Sequence, residues 1–81
     1  MRVRVQLFAR ARELAGAPSV ELELENAATV GDVRRRLGVE YPALAVLLSK
    51  CAVALDEEFA DDQLSLRQGA VIAILPPVSG G

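Results

Sequence analysis

The chain has 81 residues, a net charge of −2, 52% hydrophobic residues and 4% aromatics, which describes one small domain with a core of Val, Leu, Ile and Ala. Nine cationic residues against eleven carboxylates disfavour a nucleic-acid partner, which rewards a concentrated positive field. No apolar run approaches the roughly 20 residues of a membrane span. The single cysteine cannot form an internal disulfide, and no charged-then-apolar leader opens the chain, so the expected setting is cytoplasmic.

Val3, Val5 and Leu7 alternate with Arg2, Arg4 and Gln6, which predicts a half-buried strand. Arg10 to Ala15 reads as a short helical turn ended by Gly16 and Pro18. Ser19 to Glu25 alternates like the first strand, with an acidic outer face at Glu21, Glu23 and Glu25. Antiparallel pairing of the two strands sets Arg2 and Arg4 against Glu21 and Glu23, a charge match worth roughly 0.2–1 kcal/mol per pair.

Thr29 is a good N-cap, with Asp32 at the third helical position and Val30, Val33, Leu37 and Tyr41 at helical spacing. Pro42 limits that helix near Glu40 or Tyr41, and the apolar stretch Leu44 to Leu48 predicts a covered helical turn. Arg34, Arg35 and Arg36 read as a solvated helix face. Cys51, Val53 and Leu55 alternate as a third strand, followed by an acidic turn through Asp56, Glu57 and Glu58 and an irregular piece containing Leu64 and Leu66. Gly69 opens a last strand, Val71 to Leu75, apolar on both faces as expected of a central strand covered by a helix on one side. The order strand, strand, helix, strand, strand indicates an α+β sheet packed by one main helix.

The chemistry that is missing narrows the function. Without histidine there is no imidazole base or ligand, which excludes the common triads and zinc sites. Cys51 sits at an alternating core position and is read as a buried small hydrophobe. Asp56, Glu57, Glu58, Asp61 and Asp62 lack calcium-loop spacing, so no metal is expected. The glycines at 16, 31, 38 and 69 are scattered and form no phosphate loop. An enzyme acting on its own is not expected.

What remains is Pro76-Pro77-Val78-Ser79-Gly80-Gly81, directly after the most apolar strand. The two prolines favour an extended path, so residues 76–81 are expected to leave the 1–75 domain as a stiff tail reaching roughly 20 Å. Glycines lack Cβ atoms and can thread a channel closed to other residues. The α-carboxylate of Gly81 is ionised at neutral pH and needs activation as an acyl phosphate or acyl adenylate by a nucleotide-using partner. Attack by sulfur then gives a thiocarboxylate; attack by a lysine amine gives an isopeptide.

That ending, together with Phe8-Ala9-Arg10-Ala11-Arg12-Glu13-Leu14-Ala15-Gly16, resembles the small, sulfur-carrier subunit of molybdopterin synthase, in the ubiquitin-like β-grasp family, over nearly the whole chain. The resemblance implies that the first and last strands pair in parallel at the sheet centre, with the Thr29–Tyr41 helix across it. It also implies that an adenylating enzyme using ATP activates Gly81, a sulfur donor converts it to a thiocarboxylate, and the tail enters the large catalytic subunit within a heterotetramer. There the sulfur passes to a pyranopterin precursor of the molybdenum cofactor; no cofactor is bound by this chain. Pro76, Pro77, Val78, Ser79 and Gly80 form the inserted tail, with Val78 as an apolar plug. Phe8 and Arg12, matched to the early family stretch, form a possible partner surface, although Phe8 fits the core equally well. Asp56 stands where relatives often carry Asn, and Gln68-Gly69-Ala70 replaces a frequent Asp-Gly-Asp, departures that touch turns. Alternatives left open are a sulfur carrier for thiazole synthesis, a ubiquitin-like modifier of lysines, and an interaction module with an inert tail.

Overall fold

A computed structural model describes residues 1–77. Strand β1, Arg2–Leu7, buries Val3, Val5 and Leu7 and exposes the residues between them, as the alternation requires. It leads into helix α1, Ala9–Ala15, which Gly16 ends at φ 75° while donating its N–H to Arg12 O at 3.0 Å. Strand β2, Ser19–Glu23, pairs antiparallel with β1, matching Arg2 to Glu23 and Arg4 to Glu21. The expected charge register is therefore present, with Arg2–Glu23 at 3.2 Å and Arg4–Glu21 at 3.9 Å. Both pairs are solvent-exposed and add little beyond specificity. β2 stops two residues short of the expected Glu25, and the Leu24 N–H turns back to Met1 O at 2.8 Å.

Helix α2, Val30–Glu40, carries the predicted cap in full. The Asp32 N–H donates to Thr29 Oγ1 at 3.3 Å, and the Thr29 N–H donates to Asp32 Oδ2 at 2.8 Å. Val30, Val33 and Leu37 form its buried stripe. A 3-10 turn, Pro42–Leu44, and helix α3, Ala45–Leu48, follow and bury Leu44 and Leu48, as the apolar run predicted. Cys51 is buried just before strand β3, Ala52–Leu55.

The expected acidic turn is a hairpin instead. Asp56 and Glu57 form a two-residue loop, and Glu58 begins strand β4, Glu58–Ala60, antiparallel to β3. The strand was not legible because its tight turn is built from Asp-Glu rather than Asn-Gly and its three residues are too few to show a period. Strand β5, Val71–Leu75, completes a five-stranded sheet of order β2-β1-β5-β3-β4. β5 is parallel to β1 and antiparallel to β3, so the first and last strands do pair at the centre.

Ile72 and Ile74 from β5, Val5 and Leu7 from β1, and Val53 from β3 point to the face covered by α2 and join its stripe in the core. Arg34 departs from the expected solvated face. Its guanidinium donates to the carbonyls of Leu48 and Cys51 and to Asp62 Oδ1, the last from Nη2 at 2.9 Å, tying α2 to the approach to β3. Arg35 and Arg36 instead pair within their own helix, with Asp32 and Glu40. Beside them, Gly31 donates its N–H to Asp62 O at 2.9 Å, an approach so close that a Cβ at residue 31 would lie 3.2 Å from that oxygen.

Candidate tail-exit site

β5 delivers the chain to Pro76 and Pro77 from the middle of the sheet. Strands on both sides, with Leu7 level with Ile74 and Ala52 level with Leu75, hold its end. Pro76 is half-buried and Pro77 is exposed. Val78, Ser79, Gly80 and Gly81 lie outside the described residues.

Phe8 follows Leu7 at this same end of the sheet. Its side chain is 43% exposed, so of the two alternatives for Phe8 the core is excluded. The turn into α1 is tight: Ala9 takes φ 50°, a left-handed value that costs a non-glycine residue roughly 1–2 kcal/mol. Arg12, on the same short helix, is also exposed. The structure thus brings Phe8, Arg12 and the Pro76-Pro77 stalk to one end of the molecule.

The sheet face opposite α2 is open. Along its central rows Gln6 lies level with Ala73, Ala73 with Ala54, and Ala54 with Phe59. A shallow hollow there is lined by Gln6, Ala54, Val71 and Ala73, with Asp56 and Glu57 at one end. Phe59 is 80% exposed and Val71 39% exposed. The apolar outer face of β5 was legible, but not that it belongs to this wider surface, because Phe59 comes from the strand the sequence did not reveal.

Two side chains with shifted titration, Cys51 and Asp56, are each engaged in holding the fold. Cys51 donates its thiol to Leu47 O at 3.3 Å, and burial pushes the thiol above its ordinary range, an effect only partly offset by Arg34. It is a packed hydrophobe, not a thiolate. Asp56 accepts from Val71 N at 3.2 Å and from Arg67 at 2.9 Å, and those bonds hold its carboxyl below the ordinary value. It therefore pins the start of β5. No group of three or more Cys, Asp or Glu residues among the described residues is arranged to hold a metal ion. Among the described residues no helix is long and apolar enough to cross a membrane.

A mixed five-stranded sheet, with one main helix across it and a central last strand, defines the ubiquitin-like β-grasp class. Comparison with known proteins narrows the class: the ThiS family profile matches residues 5–81, and the chain belongs to that family. It is 37% identical to the molybdopterin synthase sulfur carrier subunit of Arabidopsis thaliana, over 98% of this chain and 82% of that one. Among solved structures it resembles SAMP1 from Haloferax volcanii, with a TM-score of 0.90, 30% identity and full coverage of both chains. It also resembles a chain in the complex of subunits 1 and 2 of molybdopterin-converting factor from Helicobacter pylori, with a TM-score of 0.74, 30% identity and full coverage of both chains.

Proposed function

We propose that the protein is the sulfur carrier subunit of molybdopterin synthase and that Gly81 is its working end. The observation that carries the reading is the full-length likeness to sulfur carrier subunits, combined with a central strand that launches the Pro-Pro tail. The Gly81 carboxylate attacks the α-phosphate of ATP on a partner adenylating enzyme, forming an acyl adenylate and releasing pyrophosphate. Sulfide-level sulfur from a donor, as HS⁻, then attacks the carbonyl, AMP leaves, the thioacid loses its proton, and a thiocarboxylate remains. The tail carries this sulfur into the large catalytic subunit, where the sulfur bonds the pyranopterin precursor and water cleaves the acyl–sulfur bond, returning Gly81 to a carboxylate. The likeness to a chain seen with subunit 2 of molybdopterin-converting factor supports a large-subunit partner.

In this reading the chain is a delivered reagent, without catalytic groups of its own, that binds no cofactor and works in the cytoplasm. A buried free thiol and the lack of histidine support that role. Pro76 and Pro77 stiffen the tail, Val78 plugs a groove in the partner, and Ser79, Gly80 and Gly81 thread its channel.

Reconstitution with the cognate large subunit and the pyranopterin precursor tests the proposal. Thiocarboxylated protein should yield the dithiolene product, whereas deletion of Gly81 should abolish sulfur transfer. Because the buried core runs from Val3 to Ile74 among the described residues, that deletion should leave the thermal transition in place. Full activity of the truncated chain would sink the reading.

A second reading, a protein modifier, draws support from the likeness to SAMP1, which related structures describe as a small archaeal modifier protein. Stable attachment of the chain to lysines of other proteins in cells would favour it.

A further inference from the structure

The tail-exit end of the molecule carries charges that the fold does not use. Among the described residues every arginine except Arg12 lies within ion-pair distance of a carboxylate. The remaining cation, Lys50, is the only lysine in the chain and likewise makes no ion pair among the described residues. Both are exposed.

Topology places them on the same end. β3 runs antiparallel to β5 with Ala52 opposite Leu75, so Lys50, two residues before Ala52, sits where β5 gives way to Pro76 and Pro77. Arg12 lies on α1, which begins one residue after Phe8, beyond the end of the β1 strand that runs parallel to β5. Lys50 is held in place: its N–H donates to Leu47 O at 2.9 Å, and Arg34 grips the carbonyls of Leu48 and Cys51 on either side. An arginine that anchors the loop and a lysine that projects from it are separate jobs in one short segment.

Among the described residues, the carboxylates that make no ion pair have the opposite bias. Glu57 and Glu58 lie at the β3–β4 turn, where Asp56 N meets Val71 O at the start of β5, and Glu25 follows the end of β2 beside the start of β1. Asp61 is the exception: it follows β4 at the sheet edge, and its carboxylate already accepts from Gln63 N at 2.9 Å. A chain of net charge −2 thus keeps its two uncommitted cations where the tail leaves.

We propose that Lys50 and Arg12 form a cationic collar around the tail exit that docks on an acidic rim surrounding the tail-receiving channel of the large subunit. Phe8 is the apolar contact within the collar. The inference rests on the carrier reading and adds the chemistry of the partner's surface. Two cations are too few for a polyanion such as nucleic acid, but charges at a protein interface rim set the association rate and its salt dependence. The collar would orient the body so that the tail meets its channel.

Stopped-flow binding of the full chain to the cognate large subunit tests it. R12E/K50E should associate about tenfold more slowly, with a weaker salt dependence and a nearly unchanged dissociation rate. R12Q/K50Q should fall between, and K50R should match the wild type. Adding E57K/E58K to R12E/K50E restores the net charge at the opposite end and should not restore the rate. Wild-type association rates in R12E/K50E, or full rescue by the distant lysines, would overturn the collar while leaving the carrier reading intact. Failure of the wild-type chain to bind at all would overturn both.

Discussion

Asp56 and Glu57 turn the chain between β3 and β4 with φ values of 48° and 77°, both in the region that favours glycine or asparagine. Asp56 offsets its strain through the bonds to Val71 N and Arg67, but Glu57 has no hydrogen-bonded partner among the described residues. E57G should therefore remove a left-handed penalty of roughly 1–2 kcal/mol, less about 0.4–1 kcal/mol for the freer unfolded chain. The expected result is a melting temperature higher by about 3–6 °C. A lower melting temperature would show that the Glu57 side chain contributes a contact larger than its strain. Residue identity explains what the sequence hid here: Asp-Glu is a poor signature for a hairpin, although its backbone follows the pattern of a good one.

At the scale of elements, α2, the loop into β3 and the segment around Asp62 are joined by one guanidinium. R34M keeps the aliphatic stem but leaves the Leu48 and Cys51 carbonyls without their donor, at an expected cost of about 2–3 kcal/mol. R34K should recover only part of that, because one ammonium cannot span two carbonyls and a carboxylate as a planar fork does. Urea titrations showing a lower midpoint at constant slope would match this expectation, whereas an R34M midpoint equal to wild type would contradict it. The strands at residues 2–7 and 71–75, the Thr29 cap and the α2 stripe were legible because period, cap chemistry and apolar spacing agreed. Arg34 was not, because a run of three arginines has no local mark of which one turns inward; only the later placement of Cys51 and Asp62 decides it. The parallel pairing of β1 with β5 came from family resemblance, since alternation gives a strand its faces but not its neighbours. The exposure of Phe8 likewise needed the three-dimensional turn at Ala9.

For the whole molecule, the lack of histidine leaves no side chain with an ordinary pKa between about pH 5 and 7, so stability should be flat across that range. The acid side is different. A backbone hydrogen bond from Thr29 holds the Asp32 carboxyl below its ordinary value of 3.8, and one from Val71, helped by Arg67, does the same for Asp56. A depressed carboxyl favours folding fully above the unfolded value and loses that contribution as pH falls through the folded one. The melting temperature should hold down to about pH 5 and drop below about pH 4. The gap between wild type and D32N/D56N should narrow over the same fall, and a constant gap would refute the assignment. The sheet order has one more consequence, for synthesis. β5 emerges from the ribosome after every element it separates, so a nascent chain holds two unjoined halves, β2-β1 and β3-β4, until the strand that carries the tail arrives. A product cut short before Val71 therefore lacks both the keystone and the tail, so any chain that completes the sheet also carries the strand that launches the tail.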